Sequence, residues 1–229
     1  MSEGKRFSSL IAHRSSLLRI AIGVCIGGIG LAGLLAAIRL GYIDPPFGGS
    51  VSFAGYSGNP IPAPLLAQRI HVPQGFHIGT YAGGIPNARM LLFTPTGDLL
   101  VSAPRQSKVL LVERDRNGDG TADGKRVLLD TLNNPHGLAL HDDWLYVADA
   151  TGVLRVGFDA VTGTLRGTPE RIVSGLPEGG SHWTRSLGIG PDGKLYVSVG
   201  SSCNVCREDD PHRAAIMRYN LDGSGEEIY

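Results

Sequence analysis

The run Gly179-Gly-Ser-His-Trp-Thr-Arg185 sets an imidazole and an indole side by side, after two glycines and before an apolar strand. Histidine is the side chain that most readily takes and releases a proton near neutral pH. His182 is therefore a candidate general base, and Trp183 a candidate wall of a substrate pocket. A second reading stays open, in which His182 only hydrogen-bonds a neighbouring loop and Trp183 only packs. His136, in Asn133-Asn-Pro-His-Gly137, precedes an earlier apolar strand in the same way and is a candidate substrate contact.

Two further groups have ligand-like spacing. Asp115, Asn117, Asp119 and Asp123 follow the start of a calcium loop, with Gly120 at its turn. Hard oxygen ligands at alternate positions suit Ca²⁺, but the twelfth position, which should be a bidentate Glu, is Arg126. An Asp/Gly-rich hairpin turn explains the same residues. Cys203 and Cys206 make one CxxC. Structural zinc would need two more ligands, and only His212 is near. A haem attachment would need His where Arg207 stands. In an oxidising compartment, a local Cys203–Cys206 disulfide stapling its loop is the favoured reading, with a metal site as the alternative.

The elements that must position these residues repeat along the chain. Ala88–Ala103, His136–Asp149 and Arg185–Val199 each contain an apolar strand, a turn rich in Asp or Gly, and a second strand. Leu99, Leu145 and Leu195 occupy equivalent places, as do Val101, Val147 and Val197. The steps are about 46 and about 50 residues, the period of propeller blades rather than of helical solenoids. Third strands are expected at 109–112, 153–156 and 216–219, and outer strands near 126–129 and 171–173. Short strands without a helical period predict an all-β fold, a β-propeller of which about three blades are present. In the third repeat the link from second to third strand is roughly twice as long as in the others, so the CxxC lies in an insertion.

Ahead of the repeats, Ile20–Ile38 carries no charge and is bounded by Arg19 and Arg39. As a helix it would span roughly 28 Å, the hydrocarbon thickness of a bilayer. Lys5, Arg6, Arg14 and Arg19 precede it, which places the N-terminus in the cytoplasm and the rest outside. The expected organisation is a cytoplasmic tail (1–19), one transmembrane anchor helix (20–41), a Pro/Gly-rich linker (42–65) and the partial propeller (66–229). The rival is a cleaved signal peptide, whose apolar region should be shorter. This organisation predicts the inner (cytoplasmic) membrane, with the propeller in the periplasm or another extracytoplasmic space. Lys+Arg and Asp+Glu are equal at 21 each, so nothing draws the chain to nucleic acid. With 33 Gly and 14 Pro in 229 residues, tight turns are favoured over a helical bundle.

Several stretches, in order and spacing, resemble the quinoprotein glucose/sorbosone dehydrogenase family, and more closely its sorbosone dehydrogenase branch. They are Pro73-Gln-Gly-Phe76 with Tyr81-Ala82, Ile85-Pro-Asn-Ala-Arg89, Asp119-Gly-Thr-Ala-Asp123, Asn133-Asn-Pro-His-Gly137 and Ile189-Gly-Pro-Asp-Gly-Lys-Leu-Tyr-Val197. Gly200-Ser-Ser-Cys-Asn-Val-Cys206 and the run from Asp209-Asp-Pro211 to Gly225 are the most specific. The resemblance runs from about residue 70 to the end.

The resemblance implies a six-bladed propeller that binds pyrroloquinoline quinone (PQQ) with calcium and oxidises a sugar or sugar aldehyde. It also implies a respiratory-chain electron acceptor as partner, and gives the histidine at position 182 the substrate hydroxyl proton. One departure is that Ser201 follows Gly200, where glucose-oxidising members carry an acid that orients the histidine. The family's quinone-binding Arg/Asn pair and its calcium loop fall beyond Tyr229, so the chain is expected to be C-terminally truncated and inactive by itself. A non-catalytic propeller binding a sugar, peptide or protein partner is the alternative. A lactonase-type hydrolase would need a channel-centred metal held by several blades, and no such set is visible.

Overall fold

The computed structural model describes residues 63–229. The expected anchor, the tail before it and nearly all of the linker lie outside them. Among the described residues no helix is long and apolar enough to cross a membrane. A seven-residue helix α1 (Ala63–Arg69) begins where the linker was expected to continue. Pro64 suits a first helical turn, where its missing N–H costs nothing, and Leu65 to Arg69 are good helix formers.

The rest is all-β. The first sheet contains β1 (Leu91–Phe93), β2 (Leu99–Ala103), β3 (Lys108–Glu113) and β4 (Gly124–Leu129). The second contains β5 (Leu138–His141), β6 (Trp144–Asp149), β7 (Gly152–Asp159) and β8 (Thr164–Ser174). The third contains β9 (Leu187–Ile189), β10 (Leu195–Val199), β11 (Ala215–Tyr219) and β12 (Glu227–Ile228). Each sheet is an antiparallel meander in chain order, the architecture of consecutive propeller blades. Leu91 pairs with Val101, Leu138 with Val147 and Leu187 with Val197, so the three inner hairpins share one register.

Alternation along the strands decides which blade each side chain meets. Leu100, Val109 and Leu111 of the first blade pack with Leu145, Val147 and Val156 of the second. Tyr146, Ala148 and Val153 point the other way and pack with Leu195, Val197 and Met217 of the third. Both faces of the middle strands are therefore covered, which is why β2 and β6 read as nearly unbroken apolar runs. Fully burying such a side chain contributes about 1.5–3 kcal/mol. The other face of the first blade, at Leu99, Val101 and Val112, is covered by Tyr81, Ala82 and Ile85. The β6–β7 turn is tied down by Asp149, which is fully buried and takes hydrogen bonds from Arg171 at 2.6 and 3.0 Å.

Candidate functional site

His182 lies on the loop that enters the third blade, five residues before β9. This loop touches the insertion joining β10 to β11 (200–214). Two glycines allow the contact. A Cβ at Gly180 would sit 2.7 Å from Cα of Ser202, and a Cβ at Gly200 would sit 2.1 Å from the His182 carbonyl oxygen. The backbones thus meet directly, and Ser181 N donates to Ser202 O at 2.8 Å. The His182 side chain is exposed, and its Nε2 lies 2.8 Å from Oδ1 of Asn204. Sequence reasoning passed over Asn204, although its position inside the CxxC was a usable signal.

Cys203 and Cys206 are joined as a disulfide. Ser201 Oγ donates to Cys203 O at 2.9 Å, and Ser202 donates its N–H to Glu208 Oε1 at 2.7 Å. Farther along the insertion, His212 lies between two carboxylates, Asp210 at 2.8 Å and Glu226 at 3.1 Å. The Asp210 hydrogen bond, followed by that of Glu226, raises its pKa. His212 therefore serves those carboxylates rather than the cysteines.

His136 was expected as a substrate contact, but the structure buries it. Its Nδ1 lies 3.0 Å from the Arg185 carbonyl, and its ring meets Trp183 edge-on at 6.1 Å between centroids. Burial lowers its pKa; the Arg185 carbonyl opposes that, and the charge of Arg89 reinforces it. Trp183 is half-buried and links the two histidine-bearing loops. The structure therefore links the loops of His136 and His182 through Trp183, with the exposed Arg89 acting on His136 through its charge.

Arg185 was also passed over. It is wholly buried, and it donates to the carbonyls of Trp183, Thr184 and Pro177 at 3.0, 3.2 and 2.5 Å, while its Nε has no partner. Burial, then the nearby Arg213, lowers its pKa. This guanidinium shapes the His182 loop from inside.

The candidate calcium ligands are not gathered. Asp115 turns both oxygens to its own loop, accepting from the N–H groups of Gly118 at 2.6 Å and Gly120 at 2.8 Å. Asp119 takes the Thr121 N–H and hydroxyl, and Asp123 faces Arg116 at 3.5 Å. Asn117 donates to Asp119 at 3.1 Å. These are the contacts of an Asp/Gly hairpin turn. Among the described residues no three His, Cys, Asp or Glu are placed to hold a metal ion.

Residues 70–227 match the model of the TrAA12-like family. The chain belongs to that family. The match covers all three blades and both loops of the His182 site. No curated protein matches the chain. Among solved structures, the TrAA12-like chain is similar to the holo form of the pyranose dehydrogenase PQQ domain from Coprinopsis cinerea. The TM-score there is 0.57 at 22% identity, over 66% of this chain and 38% of that one. It is also similar to the calcium structure of the carbohydrate-active enzyme family AA12 protein of Trichoderma reesei, with a TM-score of 0.54 at 21% identity, over 75% of this chain and 42% of that one. At these identities the likeness is one of fold, and the TrAA12-like chain spans about 40% of the length of those proteins.

Proposed function

We propose that the protein is a membrane-anchored, outward-facing PQQ-dependent sugar or sugar-aldehyde dehydrogenase of the sorbosone dehydrogenase type, with His182 as the base. The observation that carries this is the exposed His182 imidazole, held by Asn204 on a loop braced beside Trp183 and His136. An exposed, oriented imidazole at a blade entry is what proton abstraction from a substrate hydroxyl requires. Membership of the TrAA12-like family and the fold shared with a pyranose dehydrogenase PQQ domain support the same chemistry.

The residues that would hold most of the cofactor are expected beyond Tyr229, and the described residues supply only the substrate-facing side of its site. PQQ is a planar, aromatic polycarboxylate, beside which Trp183 would offer an aromatic face and His182 a hydrogen-bonding imidazole. When bound, it supplies the electron sink for oxidation of the substrate carbon. The chain's own part is to hold the sugar hydroxyl against His182, to take its proton, and to fix the imidazole while that happens. Calcium is proposed as part of the same cofactor site in the whole protein, separate from the Asp115–Asp123 turn. The activity is proposed for the whole protein, with a respiratory acceptor downstream. The disulfide favours the extracytoplasmic side, where such bonds persist.

The test is dye-linked oxidation of sorbosone and glucose by the whole protein supplied with PQQ and calcium. His182→Ala should lower turnover by about 10²–10⁴ while PQQ binding persists. A wild-type protein that binds PQQ and oxidises no sugar would overturn the enzyme reading.

A further inference from the structure

We propose that Asn204, held in the ring closed by Cys203 and Cys206, is a positioning residue for His182 and selects Nδ1 as the nitrogen that takes the proton. The proposal rests on the reading of His182 as a base.

The first support is the hydrogen bond itself. An amide oxygen only accepts, so the 2.8 Å contact between Asn204 Oδ1 and His182 Nε2 places the imidazole hydrogen on Nε2. Nδ1 has no partner among the described residues, so the free lone pair is there. A proton taken from a substrate hydroxyl then goes to Nδ1, and the imidazolium formed keeps its Nε2–H on Asn204.

The second support is how firmly Asn204 is placed. Val205, its neighbour in the ring, is 95% exposed, so no apolar burial anchors this loop. Its order comes from the disulfide across residues 203 and 206 and from polar braces on either side. Ser201 Oγ holds the Cys203 carbonyl, and the N–H and hydroxyl of Ser202 hold Glu208 at 2.7 and 3.1 Å. A four-residue ring leaves the Asn204 backbone little freedom. The direct backbone contact at Gly180 and Gly200 then fixes the distance between the two loops.

The third support is charge. The loop of His182 and the insertion carry Glu178, Arg185, Arg207, Glu208, Asp209, Asp210 and Arg213. Arg213 donates to the carbonyls of Glu178 and Gly179 at 2.5 and 3.2 Å, and Glu208 is engaged by Ser202. None of them makes a hydrogen bond to the imidazole. Orientation therefore comes from a neutral amide, where a carboxylate would bring a charge with it. The departure at Ser201 fits this arrangement, because the orienting group stands three residues farther on, inside the ring.

The test is the neutral tautomer of His182, read from long-range ¹H–¹⁵N correlation spectra of the full chain at pH 8, with the signal assigned by H182Q. The wild type should show a protonated Nε2 and a pyridine-like Nδ1. Asn204→Ala should lower the Nε2–H to Nδ1–H ratio about fivefold, the equilibrium weight of one ordinary hydrogen bond. Asn204→Asp keeps an acceptor and should restore the ratio. The double variant C203S/C206S should behave as Asn204→Ala does. An unchanged ratio in Asn204→Ala overturns the proposal without help from the double variant, and so does a pyridine-like Nε2 in the wild type. Neither readout requires PQQ. A tautomer response as expected, together with unaltered dye-linked turnover in Asn204→Ala, would keep the positioning and overturn His182 as the base.

Discussion

Gly200 is the tightest point of the site, and replacing it with Ala tests the loop contact directly. Its backbone is in a conformation open to any residue, so the cost is steric and not one of φ strain. The added Cβ would lie 2.1 Å from the His182 carbonyl oxygen and 2.7 Å from the His182 Cβ. An ordinary carbon–oxygen contact is about 3.3 Å, so the loops must part by about 1.2 Å. The obstructing oxygen belongs to the backbone and cannot rotate away as a side chain would. Overpacking of this kind costs about 1–3 kcal/mol. The same displacement would stretch the 2.8 Å His182–Asn204 bond past useful length, adding about 1 kcal/mol. Together they predict a loss of about 2–4 kcal/mol and a melting temperature lower by on the order of 5–15 °C. Gly188 is the control: it is a β9 position where a Cβ meets nothing within 4 Å. Gly188→Ala should stay within about 0.5 kcal/mol of wild type. Urea unfolding of the two variants side by side decides the matter. If Gly200→Ala is as stable as Gly188→Ala, the close contact of the two loops is wrong.

Two other groups give independent predictions. Burial pushes the Asp149 pKa up, but hydrogen bonds from Arg171 and Thr151 outweigh it and hold the carboxyl below the usual range. Its folded pKa is depressed, so its contribution is full above the unfolded value of about 3.9 and is lost as pH falls through the folded value. Asp149→Asn should flatten the acid limb of a stability–pH curve measured by chemical denaturation, and should cost about 2–4 kcal/mol at neutral pH. Arg185→Met removes a buried cation but leaves the carbonyls of Pro177, Trp183 and Thr184 without their donor. It should lose about 2–3 kcal/mol in the same assay, and equal stability would mean that those bonds contribute nothing net.

The blades were legible because strands such as β2, β3 and β6 are buried on both faces and so carry apolar runs, and because Leu99, Leu145 and Leu195 recur at a regular spacing. The outer strands were less legible. β8 runs through 11 residues, Thr164–Ser174, almost all exposed, and includes Gly167 and Pro169. Only its end, 171–173, was expected as a strand; the exposed remainder carries no strand pattern, and its pairing with β7 makes it one. Trp144 starts β6 at 37% exposure with the Arg155 guanidinium 4.7 Å from its ring centre, so its aromatic bulk serves a surface contact and not the blade core. The Asp115–Asp123 run had calcium-like spacing because Asx turns and calcium loops use the same residue types, and only the direction of the oxygens separates them. Asn204 was passed over for another reason: the CxxC marks its loop, but a contact with a side chain 22 positions earlier leaves no pattern that pairs the two residues.

The repeat itself explains why His182, and not His136, is the residue to assign to proton transfer. Counting back two positions from the paired Leu91, Leu138 and Leu187 gives Arg89, His136 and Arg185, so the fold puts a basic residue at the same place in each blade. Their surroundings then diverge. Arg89 is left exposed. At the second blade, Gly137 N donates to the Arg185 carbonyl at 2.8 Å, and a Cβ on Gly137 would lie 2.6 Å from that oxygen. His136 shares the same carbonyl, and since a carbonyl only accepts, Nδ1 must carry the hydrogen. Burial and the charge of Arg89 both disfavour a second proton on this ring, so protonating His136 in a reaction would work against its environment. His182 sits three residues before the repeat position, on the exposed part of its loop, where an imidazolium can be solvated and its Nε2–H is already held. The blade framework thus converts a repeated basic position into a pin between blades, and leaves exposed the histidine that falls outside the repeat, the one proposed as the base.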